Sequence, residues 1–187
     1  MDREKALRVL HTYLKSEHLI KHSYAVEAVM REIAKRLQPE GEDLWATAGL
    51  LHDLDADIVD YAINPELHGP KTVEILKKEN LGSEEIYHAI CAHNNKTGIA
   101  IESIMDQAIF AADPITGFIT AIALVYPDKK LSSVKVKSIT KRMKEIRFAA
   151  GADRDAMRSI EKLGIDFESF AEISLKAMQN ISDDLGL

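Results

Sequence analysis

The chain has 187 residues, 46 % of them apolar, one cysteine (Cys91) and a net charge of −6. That is enough apolar material for one folded domain with its own core, and a single cysteine excludes an intrachain disulfide, which suits a reducing cytoplasm. The charged opening MDREKALRVL lacks the apolar run of a secretory leader, and Asp106 and Asp113 interrupt the most apolar stretch, Ile104 to Val125, so no membrane span is expected.

Helix signals recur along the whole chain and strand signals are nearly absent, which predicts an all-α helical bundle. Asp2 caps a first helix that runs to about Ser16. A second runs from about Leu19 to Leu37, where Pro39 and Gly41 end it, and a third from about Glu42 to His52. Asn64 as cap and Pro65 at the first helical position start a fourth, which ends near Asn80 and Gly82. Ser83 caps a fifth that reaches about His93, and NNKTG after it reads as a loop. The sixth pattern, Glu102 to Val125, is interrupted at Pro114, because proline lacks a backbone donor and disfavours helical geometry at Asp113. Three more helices are expected over about 132–148, 153–163 and 167–182, punctuated by Gly151 and Gly164. The chain reads as one domain, with a core over about 18–126 and a helical C-terminal extension over about 128–187.

Residues 129–147 hold eight of the 24 Lys and Arg and one acid, Glu145, so this segment is +7 and the remainder −13. Such a stripe attracts an anionic ligand or is simply a solvated helix face. It lacks interleaved aromatics, so nucleic acid is not an expected partner. Neither a phosphate-binding P-loop nor a dinucleotide-binding glycine pattern is present.

Helical spacing sorts the histidines. His22, Val26, Val29, Ile33 and Leu37 share one face, as do Trp45, Ala48 and His52. Ile86, Ala89 or Ile90, and His93 form a third apolar stripe, and Met105 or Asp106, Ile109 and Asp113 a fourth. His11, His18 and His88 lie on more polar faces. A single inward histidine is ordinarily a core residue with one hydrogen bond. A buried carboxylate, by contrast, takes up a proton unless it is paired or bound to a metal, so stripes ending in His or Asp suit a cation site. Periodicity shows that each points inward, not that they meet. Asp57, four residues past Asp53, is a candidate general base or a support for a ligand histidine, or else a solvated helix end. Lys71, three residues past His68, is a candidate phosphate contact or a surface lysine, and Lys96 a weaker one.

The segments KHSYAVEAVM, AGLLHDLDAD, HGPKTVEIL, AICAHN and AIFAADPITG carry His22, His52-Asp53, His68-Gly69, His93 and Asp113 in that order. This ordered set resembles the HD-domain superfamily of all-α metal-dependent enzymes, mostly phosphohydrolases. It is similar in pattern to the bacterial HD-type diadenosine tetraphosphate hydrolases. The resemblance implies two divalent metal ions (iron, manganese or zinc). One would be held by His22, His52, Asp53 and Asp113, the other by His68 and His93, with Asp53 bridging. It also implies a phosphorylated small-molecule substrate, nucleotide-like, cleaved by metal-activated hydroxide. Imidazole and carboxylate suit those metals, and two ions about 3.5–4 Å apart hold a hydroxide and phosphate oxygens together. Asn94 stands where those hydrolases usually have threonine, and PITG follows Asp113 instead of an acidic stretch, departures that bear on the substrate more than on the metals. HD-type diiron oxygenases use a very similar ligand set, so the ligands leave an oxygenase open, as well as a metal-binding sensor without turnover.

Overall fold

The computed structural model describes residues 2–187, which form ten α-helices and no strand. The helices are α1 (Arg3–Tyr13), α2 (Glu17–Leu37), α3 (Glu42–Leu51), α4 (Pro70–Lys78), α5 (Glu84–Ala92), α6 (Ile104–Val125), α7 (Val136–Arg142), α8 (Arg154–Arg158), α9 (Phe167–Gln179) and α10 (Ser182–Leu185). The all-α prediction holds, and Asp2 and Ser83 cap α1 and α5 through Glu4 N and Ile86 N.

The central element is α6. A reciprocal pair between Ser103 and Asp106 closes its first turn. Ala108, Ile109, Ala112, Ile115, Phe118 and Ile119 are fully buried along it, against α2, α3, α5, α8 and α9. Among the described residues it is the one helix long and apolar enough to cross a membrane, and 56 % of its most apolar window is buried inside the fold. The interruption expected at Pro114 does not occur: the helix runs through it. Proline in a helix interior costs about 3 kcal/mol, and the apolar surface that α6 buries on both sides of Pro114 offsets it. The Thr116 hydroxyl donates to the Asp113 carbonyl at 2.9 Å and ties the turn across the proline.

Helix α2 lies close against α3. A Cβ on Gly49 would sit 2.8 Å from the Val26 carbonyl oxygen, so the two backbones approach as only glycine permits. This contact sets His22 of α2 beside His52 at the end of α3, with ring centroids 5.2 Å apart. Gly49→Ala is therefore expected to push the helices apart and destabilise the protein by about 1–3 kcal/mol, a thermal shift of about 2–12 °C for a chain of this size. Thermal melting checks it.

Two other predicted helices are corrected. The element expected from Pro65 to Asn80 is a single tight turn at Pro65–Leu67, a break at His68-Gly69, and α4 from Pro70. Gly69 has φ +97°, and a Cβ there would meet the Ile90 carbonyl at 2.9 Å. Both prolines can open a helix; the second does, because the Asp55 carboxylate accepts from Gly69 N at 2.8 Å and Thr72 N at 3.0 Å and so caps α4. The helix expected over 132–148 shrinks to α7 and a turn at Leu131–Ser133. The Arg154 guanidinium donates to the carbonyls of Glu145, Phe148, Ala149 and Ala152 and so holds the chain after α7 in irregular turns. The residues beyond 128 pack back on the rest: α9 lies on α2, α6 and α7 and buries Phe170 and Met178.

Candidate metal centre

Five segments deliver six side chains to one place. His22 comes from α2, His52 and Asp53 from the end of α3, His68 from the turn before α4, His93 from the end of α5, and Asp113 from α6. The inward stripes read from helical periodicity thus meet.

All four rings are anchored the same way. Nδ1 of His52 donates to the Gly49 carbonyl at 2.8 Å, and Nδ1 of His93 donates to the Ile90 carbonyl. Nδ1 of His68 donates to Asp55 Oδ1 at 2.7 Å. Nδ1 of His22 lies 3.1 Å from the Thr116 hydroxyl, whose proton is already committed to the Asp113 carbonyl, so the ring donates here as well. An acceptor on Nδ1 fixes the proton there and leaves the Nε2 lone pair free, the arrangement that suits a metal-ligating histidine.

The four Nε2 atoms converge on two carboxylates. Asp53 Oδ1 lies 3.2 Å from His52 Nε2, 3.2 Å from His68 Nε2 and 3.6 Å from His93 Nε2, while Asp53 Oδ2 lies 3.6 Å from His22 Nε2. Asp113 Oδ1 is 3.0 Å from His22 Nε2 and 3.8 Å from His52 Nε2. His68 Nε2 and His93 Nε2 are 3.1 Å apart. Two lone pairs at that distance repel unless a proton or a cation lies between them. His52 Nε2 is fully buried and makes no hydrogen bond, since its near neighbour Asp53 offers only lone pairs. The triads His22-His52-Asp53, His52-His93-Asp113 and Asp53-His68-His93 each have ligand atoms within 4.8 Å of one another. A buried, unpartnered imidazole nitrogen among such triads is the donor set a borderline divalent cation takes. The residues fit a metal.

The electrostatics agree. Burial alone would raise the Asp53 carboxyl, but His52, His68, His93 and His22 outweigh it and hold it well below the ordinary carboxylate value. Burial and then His22 and His52 act in the same opposed way on Asp113, which is also strongly lowered. Burial would lower His68, yet Asp53 and Asp55 push it up to about 10. In the metal-free fold, then, a proton on His68 balances these carboxylates. That raised value contributes stability which is fully present below the ordinary 6.5 and is lost as pH rises through about 10. A cation at the same nitrogen must displace the proton. Zinc or manganese affinity is therefore expected to strengthen up to about tenfold per pH unit between pH 7 and 9, with proton release on binding, measured by titration calorimetry in buffers of different ionisation enthalpy. His68→Ala is expected to lose that dependence.

Two residues proposed from spacing lie elsewhere. The Asp57 carboxylate accepts from Lys15 N at 2.7 Å, from Ser16 N at 2.9 Å and from the Ser16 hydroxyl, so it holds the chain that leads into α2. Lys71 pairs with Glu74 at 2.7 Å on the surface. Asp55 is the carboxylate that supports a histidine; it is fully buried and binds His68, Gly69 N and Thr72 N together. Asn94 is buried too, and its amide donates to the carbonyls of Pro65 at 2.7 Å and His68 at 3.0 Å, which braces the turn carrying His68. His88 binds Asp106 at 2.9 Å, away from the cluster. Over the cluster lies a cleft of about 550 Å³, walled by Tyr61, Asn94, Phe110, Gly117 and the loop Ala149–Asp153 as well as by His22, His68, His93 and Asp113. None of the Lys or Arg of the basic segment lines it.

The family model for the HD domain matches residues 19–148 of the chain. Comparison with curated proteins and with solved structures gives no match.

Proposed function

Because the chain belongs to the HD-domain family, whose members are mostly metal-dependent hydrolases, we propose that it is a phosphohydrolase acting on a nucleotide-like phosphate ester or anhydride. In this reading His22, His52, Asp53 and Asp113 hold one divalent ion (iron, manganese or zinc). His68 and His93 would hold a second, with Asp53 contributing to both. The observation that carries it is the common anchoring of four imidazoles through Nδ1, with every Nε2 aimed at Asp53 or Asp113.

Bound divalent ions supply Lewis acidity toward phosphate oxygens and acidify a water toward neutral pH. The chain's own residues do the rest. Asp53 presents Oδ1 to three histidines and Oδ2 to the fourth, so its two oxygens face different ligand groups. Asp55 fixes the His68 ring, and Asn94 fixes the backbone that carries it. The Tyr61 hydroxyl donates to Asn94 Oδ1 at 3.4 Å, and Tyr61 and Phe110 both line the cleft, side chains of a type on which a base can stack. A cleft of about 550 Å³ falls within the common range for small-molecule sites.

The test is metal analysis of anaerobically purified protein, followed by a phosphatase and phosphodiesterase screen over a nucleotide panel with manganese or iron. Phosphate or nucleotide release without oxygen supports the proposal. Oxygen uptake with an organic substrate and no phosphate release would replace it with an oxygenase. A fully metallated protein inert across the panel would point to a sensor.

A further inference from the structure

A second cavity, of about 530 Å³, opens on another side of the same cluster. Four leucines, Leu19, Leu124, Leu185 and Leu187, line much of it. At the cluster it is lined by His22 and Asp53. It shares His22 and Gly117 with the cleft already described. His18, Lys21 and Thr120 also line it, and Lys21 is paired with Glu17 at 2.7 Å.

Gly117 is unusual in its place. It stands inside α6, where glycine costs roughly 0.5–1 kcal/mol against alanine. A Cβ there would meet nothing within 4 Å, so no neighbour demands a glycine. What glycine preserves at 117 is open space where the two cavities adjoin.

A wholly apolar ligand is a poor occupant for a cavity that ends on a carboxylate, because Asp53 would be stripped of solvent with nothing in return. A partner protein would have to bury the same group. An amphiphile meets both ends: an anionic head reaching the cation that Asp53 holds, and a hydrocarbon portion against the leucines. Resting on the phosphohydrolase reading above, we propose that this cavity is a substrate subsite, and that the enzyme takes phosphate esters bearing an aliphatic chain, with Gly117 keeping the passage between head and tail open.

The probe is a series of non-hydrolysable methyl-, butyl- and octylphosphonate, titrated into the manganese-loaded full chain by calorimetry. Affinity is expected to rise about fourfold per added methylene, the effect of about 0.8 kcal/mol per buried CH₂. Leu124→Asp, at a position 50 % exposed and so tolerant of the change, and Gly117→Leu are each expected to flatten that dependence by at least tenfold between methyl and octyl, with unaltered thermal unfolding showing that they fold. Methylphosphonate binding with no gain along the series would overturn the subsite and leave the phosphohydrolase reading standing. Chain-length dependence that both variants retain would place the hydrocarbon elsewhere and overturn it as well. No binding of any phosphonate to the loaded protein would overturn both.

Discussion

Asp53→Asn is expected to cost the protein at least one of the two metal equivalents proposed for it and to cut phosphate release more than about 100-fold. The magnitude follows from position. Loss of a group that only supports a ligand typically costs 10–100-fold in metal affinity or activity. Asp53 is no mere support: it lies within 3.6 Å of all four Nε2 atoms. Asparagine keeps the shape but halves the acceptor oxygens and removes the charge. The same change removes one of the two carboxylates that push His68 up to about 10, so the His68 pKa should fall, and an NMR titration of its ring reads that directly in metal-free protein. Elemental analysis and a phosphate-release assay read the rest. Full metal content with unchanged turnover would show that the cluster is not held as proposed.

Asp55→Ala is the second large effect, and it acts through support. The Asp55 side chain is fully buried and accepts from His68 Nδ1, Gly69 N and Thr72 N. Alanine strands three donors in the interior. Breaking a buried charged network of this kind costs about 3–5 kcal/mol, a fall of about 6–20 °C in melting temperature for a chain of this length. His68 also loses the acceptor that fixes its tautomer, so metal affinity should drop about 10–100-fold. Asp57→Ala is the control two residues on. It removes only the hydrogen bonds to Lys15 and Ser16 ahead of α2, worth about 1 kcal/mol, and its metal content should match that of the unaltered protein. Equal effects at 55 and 57 would contradict the roles given to them.

The contrast between these two aspartates shows where sequence reasoning ran out. Helical periodicity reached His22, His52, His93 and Asp113 because each lies on a helix or is the capping residue just past its end, which keeps helical backbone so that spacing still reports a face. Asp57 was singled out by the same arithmetic, four residues past Asp53, but α3 ends at Leu51 and the rule has no helix to act on beyond it. His68 lies in a turn made by the left-handed Gly69, so only its resemblance to a family pattern marked it. Asp55 carried a signal that was available: a second carboxylate two places after the His-Asp pair, with no solvent-facing helix to sit on. Asn94 and Thr116 act through long-range contacts, 26 and 94 residues away in the chain, that no local pattern encodes.

The fold shows the same division. The caps at Asp2 and Ser83 and the helices of the core were legible because capping and amphipathicity are local. The misplaced features were decided by partners distant in sequence. Burial on both sides carried α6 through Pro114, Asp55 moved the start of α4 to Pro70, and Arg154 gathered the carbonyls after α7. Each is a case of tertiary contacts outweighing local preference.

Elemental analysis of anaerobically purified protein beside its His93→Ala variant tests the central claim most directly. Two equivalents of iron, manganese or zinc per chain, falling to one in the variant, is the result expected if the six side chains grip a pair of cations. A metal-free protein that takes up nothing when supplied with those ions, or a stoichiometry indifferent to His93, would contradict it.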